Sequence, residues 1–139
     1  MQFFASCPLG VADLTAAELR AFGATRTAEY KRGVQFEGTL EVAYRACLWS
    51  RTASRILLPL ATFPVPDADA LYASVKSIDW KSHIAPRSTL AVEFAGTSPS
   101  ISHTHFGALK TKDAIVDQLR ERTGERPSID GDRPSVRVD

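Results

Sequence analysis

The sequence predicts an α+β protein built from two modules. In the first half, strand-like apolar runs and helix-favouring segments follow one another in the order β-α-β-β-α-β, which is the split unit of a ferredoxin-like domain. The segment Pro64-Val65-Pro66 then reads as a linker. A second set of helix, strand, long helix and strand follows. The chain has 139 residues, 44% hydrophobic and 24% charged, which is the composition of an ordinary globular protein and excludes disordered and collagen-like classes.

The first module begins with a Phe-rich apolar run at residues 2–7, which predicts a strand that ends at Pro8. Residues 9–22 are Ala-rich and favour a helix that ends at Gly23, a typical C′ residue. Glu18 falls within the apolar arc of this helix, so it needs a basic partner or access to water. Residues 25–30 and 34–37 predict a hairpin, in which Gly33 would supply the positive φ of the turn.

A second helix closes the first module. Thr39 is its predicted N-cap, and the helix is expected over residues 40–50. Residues 56–63 predict the next strand, where Pro59 indicates an edge position or a bulge. The first module is therefore predicted to span residues 1–66. The apolar spacing predicts that the buried face of the helix consists of Leu40, Ala43, Tyr44, Cys47 and Leu48.

The second module is predicted to span residues 67–139. Asp67 or Asp69 can cap a helix, residues 89–94 alternate as a strand, and a long helix is expected over residues 106–122. The chain ends in a strand-like run at residues 135–138. Because an isolated strand pair is marginal, we expect this module to be truncated on its C-terminal side and the chain to be a fragment.

The two cysteines, Cys7 and Cys47, fit either a disulfide or two free thiols, and free thiols in a reducing compartment are favoured. No apolar run approaches the roughly 18 to 20 residues that a membrane span needs. The first ten residues also lack the basic flank of a signal peptide. A cytoplasmic location without membrane contact is therefore expected.

Catalytic and metal-binding signatures are absent from the sequence. It contains no G-x-G-x-x-G, no G-x-x-x-x-G-K-[ST], no H-E-x-x-H, no C-x-x-C and no G-x-S-x-G motif. His103 and His105 lack a third ligand nearby, so solvated histidines are favoured over a metal site. Asp130-Gly131-Asp132 lacks the other ligands of a calcium loop and favours a turn. We therefore expect no catalytic, cofactor or metal site in this chain.

The placement of basic residues is a stronger indication of function than any catalytic or metal-binding motif. From Arg20 to Arg55 there are seven basic and three acidic residues, a net charge of +4 on a chain whose net charge is +1. Lys110 and Lys112 are predicted in the first turns of the long helix, where the helix dipole disfavours cations. A helix N-terminus beside these lysines and the hydroxyl-rich loop 97–104 would suit a phosphate. Pairing of Lys110 with Asp113, and burial of the Lys112 stem, are equally compatible with the sequence.

Two strings of residues point to a known family. The segment Leu-Trp-Ser-Arg-Thr-Ala-Ser-Arg at 48–55 and the segment Lys-Thr-Lys-Asp-Ala-Ile-Val-Asp at 110–117 closely resemble the N-terminal part of bacterial 23S rRNA guanine-N2 methyltransferases of the RlmL (RlmKL) type. Residues 4–6, 33–38, 89–96 and 126–138 are similar to that family in order and spacing. The resemblance covers nearly the whole chain.

The resemblance implies a ferredoxin-like domain followed by an incomplete THUMP domain, an α/β RNA-binding module. It implies that the partners are 23S rRNA and the protein's own C-terminal methyltransferase domain, which would use S-adenosylmethionine. This chain would be non-catalytic and would position the RNA. A different class of function stays open, namely a ferredoxin-like regulatory or ligand-binding domain without RNA affinity. The candidate RNA-binding residues are Lys110, Lys112, Arg51, Arg55, Lys31, Arg32 and His105; Phe106 could stack on a base, but burial at the start of the helix is favoured.

Overall fold

The computed structural model describes residues 1–96 and 98–139, so Thr97 of the predicted loop 97–104 lies outside the described residues. The chain folds into two compact units, Met1–Leu60 and Ala61–Asp139. Both contain helices and strands, and the predicted α+β class is confirmed. The domain limits 1–66 and 67–139 stay predictions.

The first unit has the predicted β-α-β-β-α-β order. Its strands form one antiparallel sheet in the order β2-β3-β1-β4. Thr39 caps the second helix as predicted, since its side chain accepts a hydrogen bond from the Val42 amide at 3.3 Å. The elements are β1 (Gln2–Ser6), α1 (Ala12–Ala21), β2 (Arg26–Tyr30), β3 (Gly33–Glu37), α2 (Leu40–Trp49) and β4 (Arg55–Leu57).

One face of this sheet carries the core of the first unit. Side chains alternate along a strand, so Phe3 and Ala5 of β1 point to the same side as Val34 and Phe36 of β3. The Phe3 and Phe36 rings stack with their centroids 5.3 Å apart. Helix residues close the cluster from the other side, namely Ala16, Leu19, Val42, Ala43 and Ala46.

Gly33 serves a different purpose from the predicted one. Its φ is not positive; the glycines with positive φ are Gly10, Gly23, Gly96 and Gly124. A Cβ at Gly33 would instead overlap the Phe4 ring and lie 2.7 Å from the carbonyl oxygen of Ala5. The position therefore requires glycine because an aromatic ring from the neighbouring strand lies over it.

The predicted buried face of α2 is wrong except for Ala43. Leu40, Tyr44, Cys47 and Leu48 are exposed, and the helix instead buries Val42, Ala43 and Ala46. Two of these three residues are alanines, whose short side chains let the helix backbone approach closely. Both cysteines are free thiols, as predicted, with Cys7 buried and Cys47 exposed.

The predicted strand over residues 56–63 is also too long. β4 covers only Arg55–Leu57, where it pairs with Phe4, Ala5 and Ser6 of β1. β1 continues to Phe3 and Gln2 beyond this register, but Pro59 has no N–H to donate, and the pairing ends at Leu57.

The second unit contains α3 (Ala68–Ser77), a 3₁₀ turn (Trp80–Ser82), β5 (Thr89–Val92), α4 (Thr104–Thr123), β6 (Ser128–Ile129) and β7 (Val136–Val138). Asp67 is the N-cap of α3 and accepts a hydrogen bond from the Ala70 amide at 2.7 Å. The three strands form a parallel sheet in the order β6-β5-β7. The core joins both helices to β5 through Leu71, Val75, Leu90, Ala114, Ile115 and Leu119.

Thr111 lies in the buried face of α4 with a polar atom that is not satisfied. It is 8% exposed, and its hydroxyl oxygen has no hydrogen-bond partner among the residues that the structure describes. Replacing Thr111 by valine removes that group at nearly constant volume, so we expect the free energy of unfolding to rise by about 1 kcal/mol.

Chemical denaturation of the Thr111→Val variant measures this effect. Thr123→Val is the matched control, because the Thr123 hydroxyl donates to the Leu119 carbonyl at 2.7 Å. Removal of this satisfied hydroxyl should not raise the free energy of unfolding. A Thr111→Val protein less stable than the wild type would show that the hydroxyl is satisfied.

Candidate nucleic-acid interface

The two lysines of α4 lie further into the helix than predicted. The helix begins at Thr104 rather than at Phe106, so Lys110 and Lys112 follow the first turn instead of forming part of it. The effect of the helix dipole is confined to the first turn, so it does not act on these two lysines. A phosphate site beside the lysines stays a prediction. The Lys110 ammonium lies 3.7 Å from a carboxylate oxygen of Asp69 and 6.0 Å from the centre of the Tyr72 ring. Lys110 thus faces α3 rather than the outer side of the unit.

Lys112 combines an ion pair with a covered stem. Its ammonium lies 2.8 Å from the Asp113 carboxylate, and its side chain is 23% exposed. The sequence left open a pairing of Asp113 with Lys110, but in the structure Asp113 pairs with Lys112. Both lysines keep their charged ends at the surface, where an ion pair contributes little to stability.

The start of α4 presents two rings to solvent. His105 and Phe106 are both exposed. The favoured burial of Phe106 is therefore wrong, because the core side of the first turns is occupied by Gly107, whose added Cβ would lie 2.7 Å from the Phe94 ring. His105 and Phe106 can accordingly be reached by a ligand.

Glu18 of α1 holds the loop that carries Arg51. Its carboxylate accepts hydrogen bonds from the Ser50 hydroxyl at 2.7 Å, the Thr52 hydroxyl at 2.9 Å and the Arg51 amide at 3.1 Å. The Ser50 hydroxyl in turn accepts the Ala53 amide at 2.9 Å, which closes a tight turn. We call residues 50–54, held in this way, the clamped loop.

The same carboxylate sits close to the Arg51 guanidinium. The Nε atom of Arg51 lies 3.5 Å from Glu18, while the Arg51 side chain is 90% exposed and that of Glu18 only 15% exposed. Burial raises the pKa of Glu18, but hydrogen bonds from Ser50 and Thr52 and from the loop amides outweigh it and lower the pKa below its ordinary value. Glu18 is therefore an ionised anchor, and Arg51 projects from a fixed backbone.

Three further candidate RNA-binding residues lie at the same end of the first sheet. Lys31 and Arg32 are the exposed turn between β2 and β3. The Arg32 carbonyl accepts the Cys7 amide at 3.1 Å, just beyond the end of β1. Arg55 pairs in register with Ser6 on the opposite side of β1. The structure thus brings Lys31, Arg32 and Arg55 together, although they are up to 24 positions apart in the sequence.

The second unit contains a basic hollow that no sequence pattern predicts. Lys81, Arg87 and Arg126 line an open hollow of about 460 Å³, together with Glu125 and Leu119. Arg87 has a φ of 66°, a left-handed conformation that is uncommon for a residue other than glycine. These bases are far apart in the sequence and share no motif, so only the fold reveals the hollow.

In residues 1–96 and 98–139, no group of three or more His, Cys, Asp or Glu side chains is arranged to hold a metal ion. No helix in the same residues is long and apolar enough to cross a membrane.

Family models match both parts of the chain. A model described as the RlmL ferredoxin-like domain matches residues 2–57, and a model described as the THUMP domain matches residues 65–139. Two curated relatives are called ribosomal RNA large subunit methyltransferase K/L. The relative from Syntrophotalea carbinolica is 49% identical over 138 residues, and that from Pseudomonas aeruginosa is 50% identical over 137 residues. Each alignment covers 99% of this chain but 19% of the relative, so the chain spans about a fifth of their length.

Solved structures share the fold. A protein from Listeria monocytogenes, titled a predicted N6-adenine-specific DNA methylase, superposes with a TM-score of 0.82 at 23% identity, over 91% of this chain and 34% of that one. SMU.472, a putative methyltransferase complexed with SAH, also gives 0.82, at 24% identity over 91% of this chain and 35% of that one. TrmN from Thermus thermophilus gives 0.69 at 18% identity, over 98% of this chain and 40% of that one.

Proposed function

We propose that this chain, which belongs to the THUMP domain family and carries an RlmL ferredoxin-like domain ahead of its THUMP domain, positions ribosomal RNA for a methyltransferase domain of the same protein. The curated relatives that it matches at about half identity are named large-subunit rRNA methyltransferases. The observation that carries the proposal for this part of the protein is the convergence of Lys31, Arg32 and Arg55 at one end of the first sheet. Clustered bases of this kind bind phosphates and so position a nucleic acid.

The proposal for the whole protein goes further. The reaction is methylation of the exocyclic N2 of a guanine in 23S rRNA, with S-adenosylmethionine as the methyl donor, in the cytoplasm. One of the structural relatives is complexed with SAH, the demethylated form of that donor. The present chain contributes affinity and orientation, and the chemistry belongs to the catalytic domain.

The candidate residues differ in how they are held. Arg51 is almost fully exposed on the clamped loop, so its guanidinium can reach a phosphate without a change of backbone. Arginine can also bind a phosphate through two parallel hydrogen bonds. Arg51 also has a carboxylate neighbour, Glu18 at 3.5 Å, but its side chain is 90% exposed. The side chains of Lys110 and Lys112 are only 33% and 23% exposed, beside carboxylates at 3.7 and 2.8 Å. We therefore place Arg51, Arg55, Lys31 and Arg32 first, and Lys110, Lys112 and His105 second.

The lysines give a quantitative test. If Lys110 and Lys112 contact phosphates, replacing either by alanine should weaken binding to RNAs of different sequence about equally. Each lost contact should also lower the slope of log affinity against log salt by roughly 0.7 for a single strand, because fewer counterions are released. The measurement is RNA affinity over a series of salt concentrations.

The matched control is Lys76→Ala. Lys76 carries the same charge and is paired with Glu121 at 2.8 Å, at the far end of α3. Its replacement should leave the salt slope unchanged. Lysine variants of α4 that melt early while keeping wild-type RNA affinity would show that Lys110 and Lys112 are structural.

A further inference from the structure

The face of the first sheet opposite the core is not covered by α1 or α2. Phe4 and Ser6 alternate with the buried Phe3 and Ala5, so their side chains point to this outer face. Register places Tyr30, Gly33, Ser6 and Arg55 in one row across the four strands. We call this surface the open face; the next rows contain Ala28, Gln35, Phe4 and Leu57, and then Arg26, Glu37 and Gln2.

Two aromatic rings lie side by side on the open face. The Phe4 and Tyr30 centroids are 6.3 Å apart, with the ring planes inclined by 51°. Phe4 extends over Gly33, where no side chain lifts it away from the sheet. The Tyr30 hydroxyl donates to the Gln35 side chain at 3.1 Å, which holds the tyrosine ring across the strands. Both rings are therefore positioned by the fold, and Tyr30 is 53% exposed.

Polar and basic groups surround the two rings. Gln2, Arg26, Ala28, Gln35 and Glu37 contribute to an open hollow of about 360 Å³ beside them. Its amide, guanidinium and carboxylate groups can form hydrogen bonds with the edge of a nucleobase. The open face and its turn carry four bases (Arg26, Lys31, Arg32 and Arg55) and one acid (Glu37), all within described residues. The charge suits a polyanion.

We propose that the open face binds unpaired nucleotides of the RNA, with Phe4 and Tyr30 stacking on bases and the surrounding basic side chains holding the phosphates. This inference rests on the proposed function and adds a site and a preference for single-stranded RNA. Stacking needs a fixed ring with an accessible face, and an unpaired base can offer its own face in return, whereas a base within a duplex cannot. An acidic protein partner would satisfy the charge, but it would make no use of an aromatic pair flanked by base-sized polar groups.

The test compares Tyr30→Ala with two other variants of the chain. Tyr30→Phe keeps the ring and loses the hydroxyl. Tyr44→Ala removes a tyrosine of similar exposure, 60%, from α2, which packs on the other side of the sheet. The probe is a uridine-rich single-stranded oligonucleotide, with a double-stranded RNA of equal length as the comparison.

We expect Tyr30→Ala to weaken single-strand binding by about 5- to 100-fold, the range for loss of one stacked base. Its salt slope should stay at the wild-type value, because no phosphate contact is lost. Tyr44→Ala should bind like the wild type. Tyr30→Phe keeps the stacking ring but loses the hydrogen bond to Gln35, so its affinity should fall less than that of Tyr30→Ala. Ultraviolet crosslinking of the wild type to the same oligonucleotide should map to Phe4 or Tyr30.

Three results would overturn the inference. Equal RNA affinity of Tyr30→Ala and wild type, with crosslinks elsewhere, would remove the open face while leaving the proposed RNA function intact. A preference for the duplex would do the same. A wild-type chain that binds neither RNA would contradict the proposed function as well. Crosslinking on the wild type decides the matter even if Tyr30→Ala fails to fold.

Discussion

Replacing Glu18 by alanine is expected to lower the free energy of unfolding of the first unit by about 3 kcal/mol, the upper end of the range for hydrogen bonds to a charged group. The carboxylate accepts bonds from Ser50, Arg51 and Thr52, and no other group in the described contacts replaces it. The Thr15 hydroxyl, fully buried, lies 2.8 Å from that of Thr52 and extends the same network. Loss of Glu18 should therefore release the clamped loop and also weaken RNA binding through Arg51.

The pH dependence of this effect has a definite sign. Because the pKa of Glu18 is lower in the folded chain than in the unfolded chain, its contribution is complete above about pH 4.3, the ordinary glutamate value. It is lost as the pH falls through the lower value of the folded state. The stability difference between wild type and Glu18→Gln should accordingly shrink below about pH 4.3.

Denaturation curves of these variants over a range of pH test the prediction. Glu41→Ala is the control, since Glu41 forms an exposed ion pair with Arg45 at 2.6 Å and its loss should cost less than about 1 kcal/mol. A Glu18→Ala protein as stable as Glu41→Ala would show that the loop does not depend on the carboxylate.

Replacing Gln118 by leucine should destabilise the second unit by a similar amount, roughly 1–3 kcal/mol. Gln118 is 3% exposed, and its amide group bridges α4 to the end of α3 and the 3₁₀ turn. Its Nε2 donates to the carbonyls of Lys76 and Ile78, and its Oε1 accepts the Trp80 amide at 3.0 Å. Leucine nearly fills the space but leaves these buried backbone groups with fewer partners.

Gln2→Leu provides the comparison, because it is the same substitution at an exposed position. Its free energy of unfolding should stay within about 0.5 kcal/mol of wild type, as is usual for surface substitutions. If Gln118→Leu were as stable as Gln2→Leu, the amide would not be the link between α3 and α4.

Local signals explain which parts of the fold the sequence could predict. Thr39, Asp67 and Gly23 act through groups close to them in the chain, and their capping roles follow from residue type and position alone. The β-α-β-β-α-β order of elements in the first unit follows similarly from the succession of apolar runs and helix-favouring segments. These predictions needed no knowledge of tertiary contacts.

The predictions that are wrong concern features that depend on contacts between residues distant in the sequence. The rotation of α2 depends on how closely Ala43 and Ala46 approach the sheet, and the requirement for glycine at position 33 depends on the Phe4 ring of another strand.

The candidate site shows the same division. Each of Lys31, Arg32, Arg51 and Arg55 could be selected from the sequence as a base, but their relation to one another comes from strand pairing and from the Glu18 contacts. The role of Glu18 as an anchor was indicated only by its position in an apolar arc. The basic hollow at Lys81, Arg87 and Arg126 had no local signal.

The affinity of the wild-type chain for a single-stranded segment of 23S rRNA, measured over a series of salt concentrations, tests the central claim most directly. Several phosphate contacts should make the logarithm of the affinity fall linearly with the logarithm of the salt concentration, with a slope of roughly −0.7 for each contact. In a double variant with Arg51→Ala and Arg55→Ala, the slope should be less steep by about twice the value for one contact, because two phosphate contacts are lost. No measurable binding, or an affinity that does not change with salt, would contradict the account and favour a ligand-binding domain without affinity for RNA.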